Sequence, residues 1–552
     1  MMINGKKTIT KKNTEINRAF ARRFFAFALV FALVLSLSAC SAGPAGDAAP
    51  ESSDSGGRYN EPSDSPAPAP YEPEVSDSWD GDYGYDDYGD YDDDYYYDYP
   101  GGESYSDLEA AGEHRAEREP EATFSLKVDT AAYSNVKRYI EDGRMPPADA
   151  VRTEELINWF SYDEPLDFSR GSPFAFYTEV GPSPFNEDKL LALIRVGTRE
   201  VDKRDLPPSN LVFLVDVSGS MNSYDKLPLL KSSFAMLTES LGRDDVVSIV
   251  TYASGTRVAL SGARGSDTRK INKTMDGLKA GGSTAGERGI QLAYELAEEY
   301  YIEGGNNRVI LATDGDFNVG LSSTDELSRF ISKKRDSGIY LSVLGFGTGN
   351  IRDDIMETLA KDGNGNYSYI DDRKTAEKVL VDELSSNLFT VADDVKAQVV
   401  FNPEMVYSYR LIGYENRMLK KEDFDNDRKD AGEIGVGSDV IALFEFELQD
   451  PGMELSDYDH LFDVRVRYKD PGESRSNLVE FPVTGIYMPS RNSTDFGFVS
   501  AVAMFGEYLR DSNYSGRFGV RDLIDLAEDN IGEDRHGYRE DFVDLLFLLR
   551  NI

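Results

Sequence analysis

The chain has 552 residues, 99 of them acidic and 59 basic, for a formal charge of −40. That length argues more than one domain, and that charge excludes nucleic acid as a partner, because its phosphates would be repelled. The single cysteine excludes an internal disulfide, so the core rests on packing alone, which several hundred residues can supply.

Residues 1–40 read as an export signal rather than as fold. Lys6, Lys7, Lys11, Lys12, Arg18, Arg22 and Arg23 precede the apolar run 24–39, which only Ser36 and Ser38 interrupt. The run falls short of the ~20 residues that span a bilayer. It ends in Leu37-Ser38-Ala39-Cys40, which resembles the lipobox of bacterial lipoproteins. That resemblance implies that Cys40 is lipidated and becomes the mature N-terminus. Residues 41–122 follow with 24 acidic and 3 basic side chains and much Pro, Gly, Ser and Tyr. Like charges repel and few aliphatic side chains are at hand, so this stretch is expected to be a disordered, extended tether, with order beginning near Thr123. Its Tyr/Asp run reads as a solvated spacer in preference to an adhesive or calcium-binding tail.

The folded part divides into four regions. In 123–206 a short strand leads into a helix over 131–142, with Asp129 or Thr130 as cap, Gly143 as stop and Pro146-Pro147 as break. A second helix in "AVRTEELINWFSY" sets Leu156, Ile157 and Phe160 on one side, and core packing is expected for Trp159 among them. Two strands, "FAFYTEVGPSPFN" and "KLLALIRVGTR", close the region. In 207–390, apolar strands at 211–216, 246–252, 308–313, 340–346 and 367–371 alternate with helices at 226–241, 287–301, 324–337, 352–361 and 375–388. The run 256–260 reads as an antiparallel edge strand. This predicts an α/β fold, a doubly wound, mostly parallel sheet with helices on both faces. Ligands of such sheets sit beyond the carboxyl ends of the strands. In 391–490 five alternating strands predict a β-sandwich-like region, which the two strands before the α/β unit are expected to complete. In 491–552 the pattern is helical, with Val499, Val502, Ala503 and Phe505 on an apolar face.

The chemistry lies in "LVFLVDVSGSM". An apolar strand ends in Asp216, followed by Ser218 and Ser220 on alternate positions. Thr284, in the glycine-rich "AGGSTAGERG", and Asp314, closing "RVILATDGD", end other segments of the same α/β unit. Two carboxylates and three hydroxyls suit a hard divalent cation, Mg²⁺ first and Mn²⁺ or Ca²⁺ second. Zinc is excluded by the lack of His or Cys near these motifs. Two formal negative charges leave the ion electrophilic, so an Asp or Glu carboxylate of a partner protein would complete its shell. No general base accompanies the set, so it reads as a binding site and not an enzyme.

These five residues match the von Willebrand factor type A domain and its metal-ion-dependent adhesion site: Asp216, Ser218 and Ser220 its first motif, Thr284 its second, Asp314 its third. The stretches "TFSLKVDTAAYSNVKRYIEDGRMPPADAVRTEELINWF", "RVILATDGDFNVG", "GNGNYSYID" and "YRLIGYENR" resemble the YfbK-like bacterial lipoproteins with a central type A domain. The resemblance covers about 123–552 and implies a surface or periplasmic lipoprotein; it brings no substrate or reaction with it.

Other motifs carry less. "GGSTAGER" imitates a phosphate loop but has Glu287 where that loop needs Lys. Asp423, Asp425 and Asp427 imitate a calcium loop, with Arg428 where Gly and Ile434 where Glu are required. His114, His460 and His536 have no nucleophile motif beside them. Three functions compete: capture of an acidic partner through Mg²⁺; an envelope assembly or scaffold role, with a structural metal site and partner contacts on the sandwich and C-terminal helices; and hydrolysis by metal-bound water. The Cys40→Ala chain is expected to move from the detergent phase to the aqueous phase on partitioning of whole-cell extracts. Retention in the detergent phase would refute lipidation at that residue.

Overall fold

The computed structural model of the protein describes residues 102–108, 112–127, 129–168, 171–283, 286–315, 324–349, 351–515 and 518–552. Cys40, the signal, the tether as far as 101 and Thr284 lie outside the described residues. The expected end of the tether at 122 needs correction, because the chain already packs on its own core at Glu103 and Tyr105. Ser104 bridges to Arg352, Arg138 donates to both oxygens of Glu103 at 3.1 and 2.9 Å, and Tyr105 is buried. Composition concealed this, since some acidic groups here pair with buried cations instead of facing water.

Two short strands, β1 (His114–Arg115) and β2 (Glu121–Ser125), precede helix α1 (Ala131–Glu141). Neither expected cap serves α1. The Thr130 side chain makes no capping bond, and Asp129 accepts the Tyr367 N–H at 3.0 Å and pairs with Arg417 at 2.7 Å. Glu155 caps from a distance instead, its Oε2 accepting the N–H of Ala132 at 2.9 Å. Gly143, at φ +70°, ends the helix in the left-handed conformation. Helix α2 (Thr153–Ile157) is shorter than its pattern promised. Trp159, just beyond it, is buried with its ring stacked on Tyr133 at 4.8 Å. Strands β3 (Phe174–Pro182) and β4 (Leu190–Thr198) then form an antiparallel pair.

The α/β unit runs β5 (Ser209–Asp216), α3 (Leu227–Glu239), β6 (Val246–Tyr252), β7 (Thr256–Arg264), α4 (Thr268–Asp276), α5 (Glu287–Glu299), β8 (Asn306–Thr313), α6 (Thr324–Arg335), β9 (Tyr340–Phe346), α7 (Asp353–Asp362) and β10 (Tyr367–Ile370). Its sheet order is β10-β9-β8-β5-β6-β7, parallel except at the edge strand β7. Side chains of β5 alternate between two helical layers. Leu211, Phe213 and Val215 join Leu230 and Phe234 of α3, while Val212 and Leu214 join Ile290 and Tyr294 of α5. Helix α4 was not foreseen; its buried side chains are Ile271 and Met275, too few to write a helical period.

Six strands follow: β11 (Thr390–Phe401), β12 (Val406–Ile412), β13 (Ile434–Gly435), β14 (Asp439–Leu448), β15 (His460–Lys469) and β16 (Ser476–Thr484). One sheet is ordered β1-β12-β14-β4-β3; the other is β13-β11-β15-β16, with β2 on β11. Strand β4, before the α/β unit, pairs with β14, after it, over Gly197↔Asp439 to Leu190↔Phe446. In the chain, the α/β unit therefore lies between strands of one sheet. Aromatic side chains, among them Phe401, Phe444, Phe446 and Phe462, fill the space between the sheets.

Strand β4 turns Ala192, Ile194 and Val196 toward that core and Leu191 and Leu193 to the opposite side. There they meet α8 (Thr494–Leu509), α9 (Val520–Asp529) and α10 (Tyr538–Leu549). The apolar faces of the C-terminal helices are thus spent inside the chain. Among the described residues no helix is long and apolar enough to cross a membrane.

A buried charge cluster ties the N-terminal helices to the α/β unit. Arg152 Nε donates to Glu155 at 2.6 Å and Nη1 to Asp353, at the start of α7, at 2.6 Å. Arg417 bridges Asp129 at 2.7 Å and Glu357 at 3.3 Å. Burial pushes Glu155 up to about 7, against the pull of Arg152. Arg152→Ala would leave two buried carboxylates without their cation and is expected to cost ~3–5 kcal/mol, read as a lower urea midpoint. Arg204→Ala, at an exposed pair with Asp202, should leave the midpoint where it was.

Candidate functional site

The site is assembled by strand order. Strands β5 and β8 are parallel neighbours, with Val215 opposite Ala312. Asp216 and Asp314 therefore leave the same edge of the sheet side by side, and the Asp314 charge raises the cost of charging Asp216. Both are buried, as is Ser218, whereas Ser220 is exposed.

After β5 the chain folds back on its own carboxylate. The N–H of Ser218 donates to Asp216 Oδ1 at 2.7 Å, and the Ser218 and Ser220 hydroxyls lie 2.9 Å apart. Two backbone bonds join this turn to the glycine-rich loop: Gly219 N–H to Gly282 O at 2.9 Å, and Gly281 N–H to Val217 O at 2.8 Å. Gly282 sits at φ +92°, where a Cβ would lie 2.3 Å from the Ser254 hydroxyl, so only glycine lets the loops meet. The structure thus brings together Asp216, Ser218, Ser220 and Asp314. Thr284, two residues past Gly282, is outside the described residues.

Asp216 is pushed up to about 6 by burial, then by the Asp314 charge, against the pull of the Ser218 N–H. Its Oδ2 is buried and meets no donor in hydrogen-bond geometry among the described residues; the buried Tyr252 hydroxyl lies near the carboxylate and tempers its rise. Asp314 has a partner that the sequence reading missed. Lys226, immediately before α3, donates from Nζ to Asp314 Oδ2 at 2.8 Å, with 8% and 0% of the two side chains exposed. Its stem passes over Gly347, where a Cβ would lie 2.2 Å from Lys226 Cε and where φ is +74°. In the sequence Lys226 follows Asp225 as the first residue of the expected helix 226–241, and nothing local marks its ammonium as buried.

The donor set fits a hard divalent ion. It offers two carboxylates, one with a buried oxygen that meets no donor in hydrogen-bond geometry among the described residues, and serine hydroxyls, and a charge of that kind would relieve the Asp216–Asp314 repulsion. Among the described residues no group of three or more His, Cys, Asp or Glu could hold a metal, so hydroxyls must supply part of any shell. The histidines are elsewhere: His114 with Glu119, His460 with Asp463, His536 near Asp382. Of the calcium-loop imitation, Asp425 pairs with Arg467 and Asp423 accepts the N–H of Lys420.

Comparison with known proteins agrees with this architecture. The family description "von Willebrand factor type A domain" matches residues 210–382, "von Willebrand factor" residues 100–193, and "Uncharacterized protein YfbK, C-terminal" residues 386–552. The Escherichia coli (strain K12) protein "Uncharacterized protein YfbK" is 41% identical over 471 residues, 81% of each chain. "Uncharacterized protein sll0103" of Synechocystis is 26% identical over 194 residues, 35% of this chain and 44% of its own. The solved von Willebrand factor type A protein of Catenulispora acidiphila is 16% identical with a TM-score of 0.40, over 68% of this chain and 89% of that one.

The raised Asp216 carboxyl sets a pH signature. The folded state holds its proton between the ordinary value of 3.8 and about 6, so the stability due to that proton is complete below 3.8 and lost as pH rises through 6. In EDTA, Asp216→Asn is expected to stabilise the chain by ~3 kcal/mol near pH 8 and to change little near pH 3.5. Thermal melts at the two pH values check this; equal shifts at both would contradict it.

Proposed function

The chain belongs to the YfbK family, and from its N-terminal sequence and its type A unit we propose that it is a lipid-anchored, extracytoplasmic binding protein. Its type A unit places it with proteins of interaction and adhesion in general. The finer reading is that Asp216, Ser218, Ser220, Thr284 and Asp314 hold Mg²⁺, with Mn²⁺ or Ca²⁺ as substitutes, and that the ion takes an Asp or Glu carboxylate from a partner protein. Cys40 carries the lipid, and the acidic segment 41–101 spaces the fold from the membrane.

One observation carries this reading: two buried carboxylates stand side by side at the end of the central strands, beside serine hydroxyls that reach solvent at Ser220. Such a pair is costly to bury, and the Lys226 ammonium stands on its Asp314 side. Next to it the loop exposes Ser223 and Tyr224, the tyrosine at 87%, and an exposed aromatic ring suits a contact surface. The scaffold alternative has less support, because the apolar faces of α8, α9 and α10 are already covered. Hydrolysis has less still, with no histidine from the described residues beside the carboxylates.

Calorimetry on the full chain should register uptake of Mg²⁺ and lose it in Asp216→Ala. Crosslinking in intact cells should capture a partner that disappears with chelator and with the same substitution. Capture that survives both would overturn the reading.

A further inference from the structure

Lys226 brings a third charge into the site, and the inference drawn from it rests on the divalent-ion reading above. Among the described residues the charged groups that meet there are Asp216 from the end of β5, Asp314 from the end of β8, and Lys226 from the start of α3, its ammonium 2.8 Å from Asp314, and the charges summed below are those of these three groups. Asp225 adjoins them but is partly exposed, where water screens it. With both carboxylates ionised the formal sum is −1; a divalent ion makes it +1. Without the lysine the loaded site would be neutral.

The lysine is also held in place. The residue is 6% exposed, its backbone begins a helix, and its stem lies against the bare Cα of Gly347, with a Cβ-to-Cε approach of 2.2 Å were that residue any other. Only 8% of its side chain is exposed, and its ammonium is ion-paired where it stands. Its charge therefore acts on whatever occupies the site, at short range and with little water between.

We propose that Lys226 is a resident cation that makes the metal-loaded site net positive and so selects an anionic ligand group, a carboxylate, at the expense of metal affinity. The two effects have opposite signs on removing the charge, which separates this role from a structural one. A mere buttress for Asp314 would, on removal, weaken metal and ligand binding together. A resident cation, on removal, strengthens the first and weakens the second.

The test uses the full chain and its Lys226→Met, Lys226→Gln and Lys226→Arg forms. Mg²⁺ binding is read by calorimetry. Carboxylate binding is read from the broadening of the acetate methyl proton line by the Mn²⁺-loaded protein. The Met and Gln forms are expected to bind Mg²⁺ ~10-fold more tightly and acetate ~10-fold more weakly, with Arg near wild type. Should the Met form not fold, the Gln form decides, since it keeps an N–H donor for Asp314. Unchanged or weaker Mg²⁺ binding in a folded Gln form, while the wild type takes up metal, overturns the role of Lys226 alone. A wild type that takes up neither Mg²⁺ nor Mn²⁺ overturns the divalent-ion reading, and this inference with it.

Discussion

Two aspartates forced together out of water are the constraint around which the exposed edge of this molecule is built. Parallel pairing of β5 and β8 brings Asp216 and Asp314 to the same edge of the sheet, and both are buried there. Like charges so placed oppose each other, and burial opposes both. The protein answers one with the Lys226 ammonium and holds the other through the N–H of Ser218, with the Tyr252 hydroxyl near it. Gly347 makes room for the lysine stem and Gly282 for the loop contact. Each glycine serves the carboxylate pair indirectly.

The remainder of the fold is consumed in holding itself together. Alternate residues of β5 are taken by helices on two sides. Alternate residues of β4 are taken by the facing sheet on one side and the C-terminal helices on the other. Buried ion pairs at Arg152 and Arg417 join segments far apart in sequence. Pairs of this kind add little net stability over apolar packing but are costly to break, so they favour one arrangement of the segments over others. At the loop edge around Asp216, Ser220, Ser223 and Tyr224 are exposed.

The gaps in the sequence reading share a cause. Glu155 caps α1 because α2 folds against it, and Asp129, the local candidate, is spent on Arg417 instead. Lys226 opens an expected helix with nothing local to mark it as buried, and β8 delivers its partner Asp314 beside it. The segment after Gly102 looks like tether because its acids are counted as charge, yet Glu103 is the partner of a buried arginine. In each case a polar side chain took its role from a residue tens to hundreds of positions away, and composition holds no record of such distances.

By itself the sequence determined what local chemistry can write: the alternation of apolar strands and helices that defines the α/β fold, the alternating strands after it, and the oxygen-bearing residues at the strand ends. Periodicity is a local property, so it survives in one dimension. Only the tertiary structure decided which carboxylates face each other, which of them has a cation already, and which apolar faces are covered. Those depend on strand order and burial, and charge interactions gain their strength from the exclusion of water that only the folded chain achieves.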